Sequence, residues 1–402
     1  MHREDQVAEF LTRKKQMVVG LLDQLCQQIE ITATQFETAK TRYEAVGAWL
    51  STSNSPHLKQ AQVYPQGSIA LGTAIKPLAA NEFDVDLVCY LLGIEYTLSA
   101  VAVKALIGDR LKENATYKGM LEEKQRCWRI NYANEFHLDI TPSIMNPRCK
   151  QNGELVPDKS LAQWKPTNPK GYIGRFEQYS AIRPRFLLPQ RSFAVAATNG
   201  NVTPLPEPTM TKPFLKRIVQ LLKRHRDQQF VGSNRAELAP ISIIITTLTG
   251  WAYAKCAREQ TYDDEFDFIT AVIREMPTFI RMEMRSGKPF YLIENETTAG
   301  ENFADKWNHD QRLAAAFYAW HGDALEAIES LPQIQGVDQF AEKLSQSFGG
   351  KKDVVRDTMS KFIAPFGQAR SAGLLKIAPS VGLISSPAFA AVAVPRNTFF
   401  GR

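Results

Sequence analysis

Apolar positions recur at helical spacing through the first fifty residues. Val7, Phe10 and Leu11 open a stripe that Met17, Val18, Leu21, Leu22 and Leu25 continue, and this predicts one long helix or two over residues 5–50. The cap- and turn-forming run STSNSP (51–56) ends it. The pattern then changes period. Val63-Tyr64-Pro65, a GSIALGT turn and the alternating FDVDLVCYL predict a compact strand–turn–strand group. Residues 97–114 read as helix, and Arg126–Tyr132 and Phe136–Ile140 as two strands around the turn Ala133-Asn134-Glu135. Residues 150–212 are rich in proline, glycine and polar residues and read as loop with short elements. Helical periodicity returns in PFLKRIVQLLKRHRDQQF, with Pro213 at a plausible first-turn position, in PISIIITTLTGWAYAKCA, and in NFADKWNHDQRLAAAFYAWHGDALEAIESL. From about Phe366 the chain turns to Ala, Ser, Pro and Gly and reads as a flexible tail.

The expected architecture is therefore α/β (α+β) and bilobal. A mixed sheet with a long N-terminal helix fills residues 1–212, a helical lobe fills 213–365, and the tail occupies 366–402. Composition supports a folded chain: of 402 residues, 44% are hydrophobic and 22% charged, which excludes the disordered class. The net charge of +6 favours polyanions, although a soluble protein with a slight basic excess gives the same number. Five cysteines (Cys26, Cys89, Cys127, Cys149, Cys256) contain no CxxC pair, and the histidines complete no zinc pattern. Scattered thiols and a charged, non-apolar start point to a cytoplasmic protein with no membrane span.

The chemistry concentrates in three places. Strand side chains two apart share a face, so Asp84 and Asp86 project together while Val85, Leu87 and Val88 serve the apolar side. Paired carboxylates repel, and a hard divalent cation relieves that repulsion. Asp139, flanked by Leu138 and Ile140, supplies a third carboxylate from a second strand, with Glu135 and Asp158 as nearby alternatives. Gly67-Ser68 opens a turn where glycine admits a phosphate to the backbone and serine offers a hydroxyl. Singly each signal is weak, because DxD pairs usually mark solvated strand edges. Their order along the chain points to two Mg2+ ions, or Mn2+, held by Asp84, Asp86 and Asp139.

This combination resembles the polymerase-β-like nucleotidyltransferase superfamily. GSIALGTAIKP and EFDVDLV, with LKRIVQLLKRHRD, PISIIITTLTG and LIENETTAGENFADKW, look most like its bacterial cyclic GMP-AMP synthase-like branch, the CD-NTases. The resemblance covers most of residues 1–365. It implies a cytoplasmic enzyme that makes a cyclic di- or trinucleotide second messenger from ATP and other nucleoside triphosphates in anti-phage (antiviral) defence. It further implies nucleotide contacts from Gly67 and Ser68, from Lys216 (the better match) or Lys223 on one helix face, and from Ser242. A solvated basic face and a helix-start serine explain the last three as well. Trp251 and Tyr253 read as core aromatics. There is no zinc-finger nucleic-acid sensor of the animal kind. Glu296 stands where many relatives carry proline, a departure that bears on local loop shape. Some relatives are joined through their C-terminus to another protein by a ubiquitin-transfer-like conjugating partner, and the side-chain-poor end Gly401-Arg402 suits such a handle. Two rivals remain: a linear-product enzyme of the oligoadenylate-synthase or RNA-tailing type, and a non-catalytic nucleotide-binding scaffold.

Overall fold

A computed structural model of the chain describes residues 3–78, 82–133, 135–158, 163–187, 212–353, 355–356, 376–378, 382–384 and 392–393. The N-terminal helical pattern resolves into α1 (Arg3–Ile29) and α2 (Ala33–Ser51). The break between them is chemical: Thr32 and Gln35 form a reciprocal capping box that starts the second helix. Then follow β1 (Gln62–Pro65), the one-turn α3 (Gly67–Ala70), β2 (Phe83–Tyr90), α4 (Ala100–Lys112), α5 (Ala115–Lys118), β3 (Leu121–Glu123), β4 (Trp128–Tyr132) and β5 (Phe136–Met145). The sheet is completed by β6 (Glu154–Asp158) and β7 (Gln163–Thr167). Its seven strands run in the order β1-β2-β5-β4-β3, with β6 and β7 continuing from the end of β5. The sheet is mixed: β2 and β5 are parallel, whereas β1 and β4 flank them antiparallel. Val85, Leu87, Leu138 and Ile140 are fully buried under α2 and α4, and Phe83 stacks on Phe136 across the strands with centroids 5.3 Å apart.

The stretch expected to be mostly loop contains β6, β7 and a three-turn helix, α6 (Pro169–Ser180). Asn168 caps α6 by accepting from the Gly171 amide at 2.9 Å, and Pro169 occupies the first turn. Beyond the two-residue β8 (Arg185–Phe186) come α7 (Phe214–Phe230), α8 (Ser242–Glu259), β9 (Thr261–Tyr262) and α9 (Glu265–Glu275). A hairpin of β10 (Arg281–Arg285) and β11 (Lys288–Leu292) follows. The segment read as a single helical run divides at Asp310 into α10 (Asp305–His309) and α11 (Arg312–Glu329), and α12 (Val337–Phe348) closes the lobe. Within the expected tail, β12 (Lys376–Ala378), β13 (Gly382–Ile384) and β14 (Val392–Ala393) pair as a small antiparallel sheet.

Two hydrophobic cores result. One lies under the sheet, around α2 and α4. The other gathers α7–α12 together with α1 and the inner face of α6. Hence α1, drawn with the sheet on sequence order, packs its Met17–Ile29 stripe into the helical lobe. Both lobes are therefore tied together by chain segments that cross between them, and the cleft they form carries the site.

Candidate nucleotidyl-transfer site

β2 presents Asp84 and Asp86 on the face opposite Val85 and Leu87. In the parallel register Asp86 lies directly across from Asp139, and Asp84 across from His137. The three sequence-predicted carboxylates thus meet on one face of two adjacent strands. Asp158, an alternative for the third, is buried on β6 and held by Gln125 and Arg126 (3.1 Å each). Crowding has an electrostatic consequence. Desolvation, then the charges of Asp139 and Asp84, push the Asp86 carboxyl up to about 7. Partial desolvation also raises Asp84, which keeps one side open to solvent, although Arg129 opposes it.

The turn before β2 is shaped around Asp86. The Gln66 amide donates to the Asp86 carbonyl at 2.8 Å, which pins the turn to the strand. Gly67 adopts φ +64°, and a Cβ there would overlap the Asp86 carboxylate. Ser68 and Thr73 line the same space, and the Ser68 carbonyl accepts from the Thr73 amide at 2.9 Å. From across the cleft Lys223 donates to the Thr73 carbonyl at 2.9 Å. Lys223 is buried, and its ammonium is depressed to about 8 by desolvation and neighbouring Arg226. Arg226 in turn donates to the Pro240 carbonyl at 2.7 Å and reaches the Ser242 hydroxyl at 3.4 Å. The cavity so enclosed measures about 360 Å³ and is lined by Gly67, Ser68, Asp84, Asp86, Lys223 and Ser242, among others.

Lys216 is placed differently. Two turns before Lys223 on α7, it pairs with Glu177 of α6 at 2.7 Å and lies beside Gly72 rather than on the cavity wall. Of the two candidate lysines, Lys223 therefore faces the carboxylates. Tyr253 is a core residue, while Trp251 is half-buried and its indole donates to Glu296 at 2.8 Å. Tyr179 donates to the same carboxylate at 2.6 Å, so Glu296 clamps its loop to α6 and α8. That clamp accounts for a carboxylate where a proline was expected. Gly401-Arg402 falls outside the described residues.

Three polar residues of the site were not singled out from sequence. Arg129 pairs with Asp139 and Asp84, Arg226 braces Ser242, and the Thr73 hydroxyl is buried without a partner. Among the described residues, no three acidic, histidine or cysteine side chains already stand as a ready ligand cluster. The guanidinium of Arg129 takes up oxygens of Asp84 and Asp139 instead. The donor set nonetheless fits a hard divalent ion: hard carboxylate oxygens converge from two strands, and desolvation together with the charges of Asp139 and Asp84 raises the Asp86 carboxyl.

A helical lobe closed over such a carboxylate face is the arrangement that the resemblance to polymerase-β-like nucleotidyltransferases leads one to expect. Residues 17–179 match the family described as the Second Messenger Oligonucleotide or Dinucleotide Synthetase domain. A c-di-GMP synthase of Roseivirga ehrenbergii is 29% identical over 392 residues, spanning 96% of this chain and 98% of the relative. The cyclic dinucleotide synthase CdnG of Bradyrhizobium diazoefficiens is 25% identical, spanning 95% of this chain and 94% of the relative. Among solved structures, the Bradyrhizobium CD-NTase CdnG in complex with GTP superposes with a TM-score of 0.63 at 21% identity, covering 86% of this chain and 98% of that one. CdnC of E. coli MS115-1 with ATP gives 0.55 at 14% identity, over 82% and 96%. Over nearly its whole length the chain is similar to CD-NTases, and these comparisons support a nucleotidyltransferase of the cyclic dinucleotide synthase class.

Proposed function

We propose that the protein condenses nucleoside triphosphates into a cyclic dinucleotide, with GTP among its substrates and ATP as a second candidate. The observation that carries this reading is the in-register placement of Asp86 against Asp139, with Asp84 and Asp86 on the wall of a cavity of about 360 Å³ that Lys223 also lines. The activities of the two relatives, c-di-GMP synthase and cyclic dinucleotide synthase, favour a two-nucleotide ring and a guanine substrate.

Asp84, Asp86 and Asp139 would hold two Mg2+ ions, or Mn2+. Such ions supply charge neutralisation and Lewis acidity when bound. The chain's own groups do the rest. Lys223, which carries its proton below about pH 8, and the Ser68 and Ser242 hydroxyls receive the triphosphate oxygens. Arg226 keeps Ser242 turned toward the cavity. In each round a ribose hydroxyl of one nucleotide loses its proton and bonds to the α-phosphorus of another, and the bond to pyrophosphate breaks. Two rounds close the ring and release two pyrophosphates. The lobes contribute mainly by positioning and by excluding water.

No helix among the described residues is long and apolar enough to cross a membrane. A cytoplasmic anti-phage signalling role is our reading of the family resemblance, and comparing phage plating on cells with and without the intact protein checks it. The chemical reading is tested by incubating purified protein with GTP, ATP and their mixture in Mg2+. A phosphatase-resistant product with the mass of a cyclic dinucleotide supports it. Linear oligomers with free termini, or no pyrophosphate release, overturn it.

A further inference from the structure

The antiparallel register of β4 and β5 sets Arg129 directly opposite Asp139. Its Nε donates to Asp139 Oδ1 at 2.7 Å and its Nη2 to Asp139 Oδ2 at 2.8 Å, a two-pronged pairing. The same Nη2 reaches Asp84 Oδ1 at 3.0 Å. One guanidinium thus occupies both oxygens of one carboxylate and one oxygen of a second. These are the atoms an entering divalent ion needs.

The two pairings are unequal. Asp139 is 13% exposed and is gripped by the fork from the neighbouring strand. Asp84 is 53% exposed, accepts a single bond from Arg129, and has His137 Nδ1 as another neighbour at 3.5 Å. His137 is itself drawn to Glu82, 2.9 Å from Nε2. The contact to Asp84 is therefore the one that can open without unbuilding the sheet, whereas the Asp139 fork is fixed by strand register.

We propose that Arg129 is a built-in countercation of this site: it holds Asp84 and Asp139 together before an ion arrives, gives up Asp84 when one enters, and stays on Asp139 to orient that carboxylate. It is a positioning residue, because it acts through Asp139. The inference rests on the reading of the three carboxylates as the ion site.

The physical consequence has a sign that simple structural damage lacks. An ion that must first displace a cation binds more weakly, by the fraction of sites already released. Removing the guanidinium removes that competition, while leaving three carboxylates less well compensated in the ion-free protein. The test is a Mn2+ titration of the nucleotide-free full chain, with free aquo-Mn2+ followed by EPR, on wild type, Arg129→Met, Arg129→Lys and Asp84→Ala/Asp86→Ala. Arg129→Met is expected to bind Mn2+ about tenfold more tightly than wild type. It should also melt lower in EDTA and recover when Mn2+ is added. Unchanged or weaker Mn2+ binding by a folded Arg129→Met protein overturns the inference. Arg129→Lys, which keeps a charge but loses the fork, is the second handle if the methionine variant does not fold. It is expected to tighten binding by a smaller factor, and no change overturns the proposal. Wild-type Mn2+ binding that survives Asp84→Ala/Asp86→Ala unchanged would instead sink the ion-site reading itself, and this inference with it.

Discussion

Gly67 is shaped to the carboxylate of Asp86. A methyl group at Gly67 would overlap Asp86 Oδ2 and stand 3.1 Å from its Cγ, and the backbone there already has φ +64°. The glycine is thus required twice, by conformation and by space. From sequence its job is to admit a phosphate to the backbone; in the fold it also admits the Asp86 carboxylate of the neighbouring strand. Gly67→Ala should strain the turn by about 1–2 kcal/mol and swing Asp86 off its register position. We expect pyrophosphate release to fall by about a hundredfold with the melting temperature only slightly lowered. Near-wild-type turnover in this variant would contradict the packing described.

The proton on Asp86 makes a second prediction with a defined sign. In the folded protein without metal this carboxyl titrates near 7, against about 3.9 in an unfolded chain. Between those values the native state binds more protons, so this group makes stability fall as pH rises from about 4 to about 7. The penalty is complete above pH 7 and absent below about 4. Asp86→Asn removes it. In EDTA at pH 8 the variant should be more stable than wild type, by at most about 4 kcal/mol, the free energy of moving a titration from about 4 to about 7. The gap should close as the pH is lowered toward 4. A gap independent of pH would show that Asp86 is not the titrating group.

Lys223 and Lys216 separate the phosphate-binding assignment. Lys223 lines the cavity and Lys216 is paired with Glu177. Lys223→Ala should raise the apparent KM for triphosphate about tenfold or more with a smaller change in kcat, whereas Lys216→Ala should change KM less. Because Lys223 is depressed to about 8, triphosphate affinity of the wild type should weaken as pH rises through 8, and the Lys223→Ala enzyme should lose that dependence. The opposite ranking of the two lysines would return the role to Lys216.

The conjugation handle that the family resemblance implies at Gly401-Arg402 would, if present, predict a separation of activities. Deleting residues 396–402 should leave nucleotide synthesis by the purified enzyme intact, because the cavity is built from residues 67–246. Attachment to another protein in cells that hold a conjugating partner should be lost. If synthesis by the purified enzyme stopped, residues 396–402 would belong to the folded enzyme.

Local chemistry decided what could be read in advance. β2 and the first half of β5 were legible because Val85, Leu87, Leu138 and Ile140 alternate with polar residues, and the same alternation put the carboxylates on one face. The α1–α2 and α7–α8 helices followed from apolar period. By contrast, β10 alternates charged residues with Met282 and Met284 but is exposed along its whole length, so neither face of that pattern is anchored in a core. The α10–α11 break falls at Asp310, whose carboxylate accepts from the Arg312 amide at 3.0 Å, a two-residue side-chain turn hidden inside a helical-looking run. The Asn168-Pro169 start of α6 was a readable cap signal, masked by the surrounding prolines and glycines. Arg129 needed the strand register, and the choice between Lys216 and Lys223 needed Glu177; neither long-range fact is written in local pattern.

The most direct measurement is mass spectrometry of the products formed by purified enzyme from GTP, ATP and both, in Mg2+, beside an Asp84→Ala/Asp86→Ala control. The wild type should yield a phosphatase-resistant cyclic dinucleotide, and a control that is still folded should yield none. A folded control that continues to release pyrophosphate, or a wild type that makes only linear chains, would contradict a cyclic synthase built on these carboxylates.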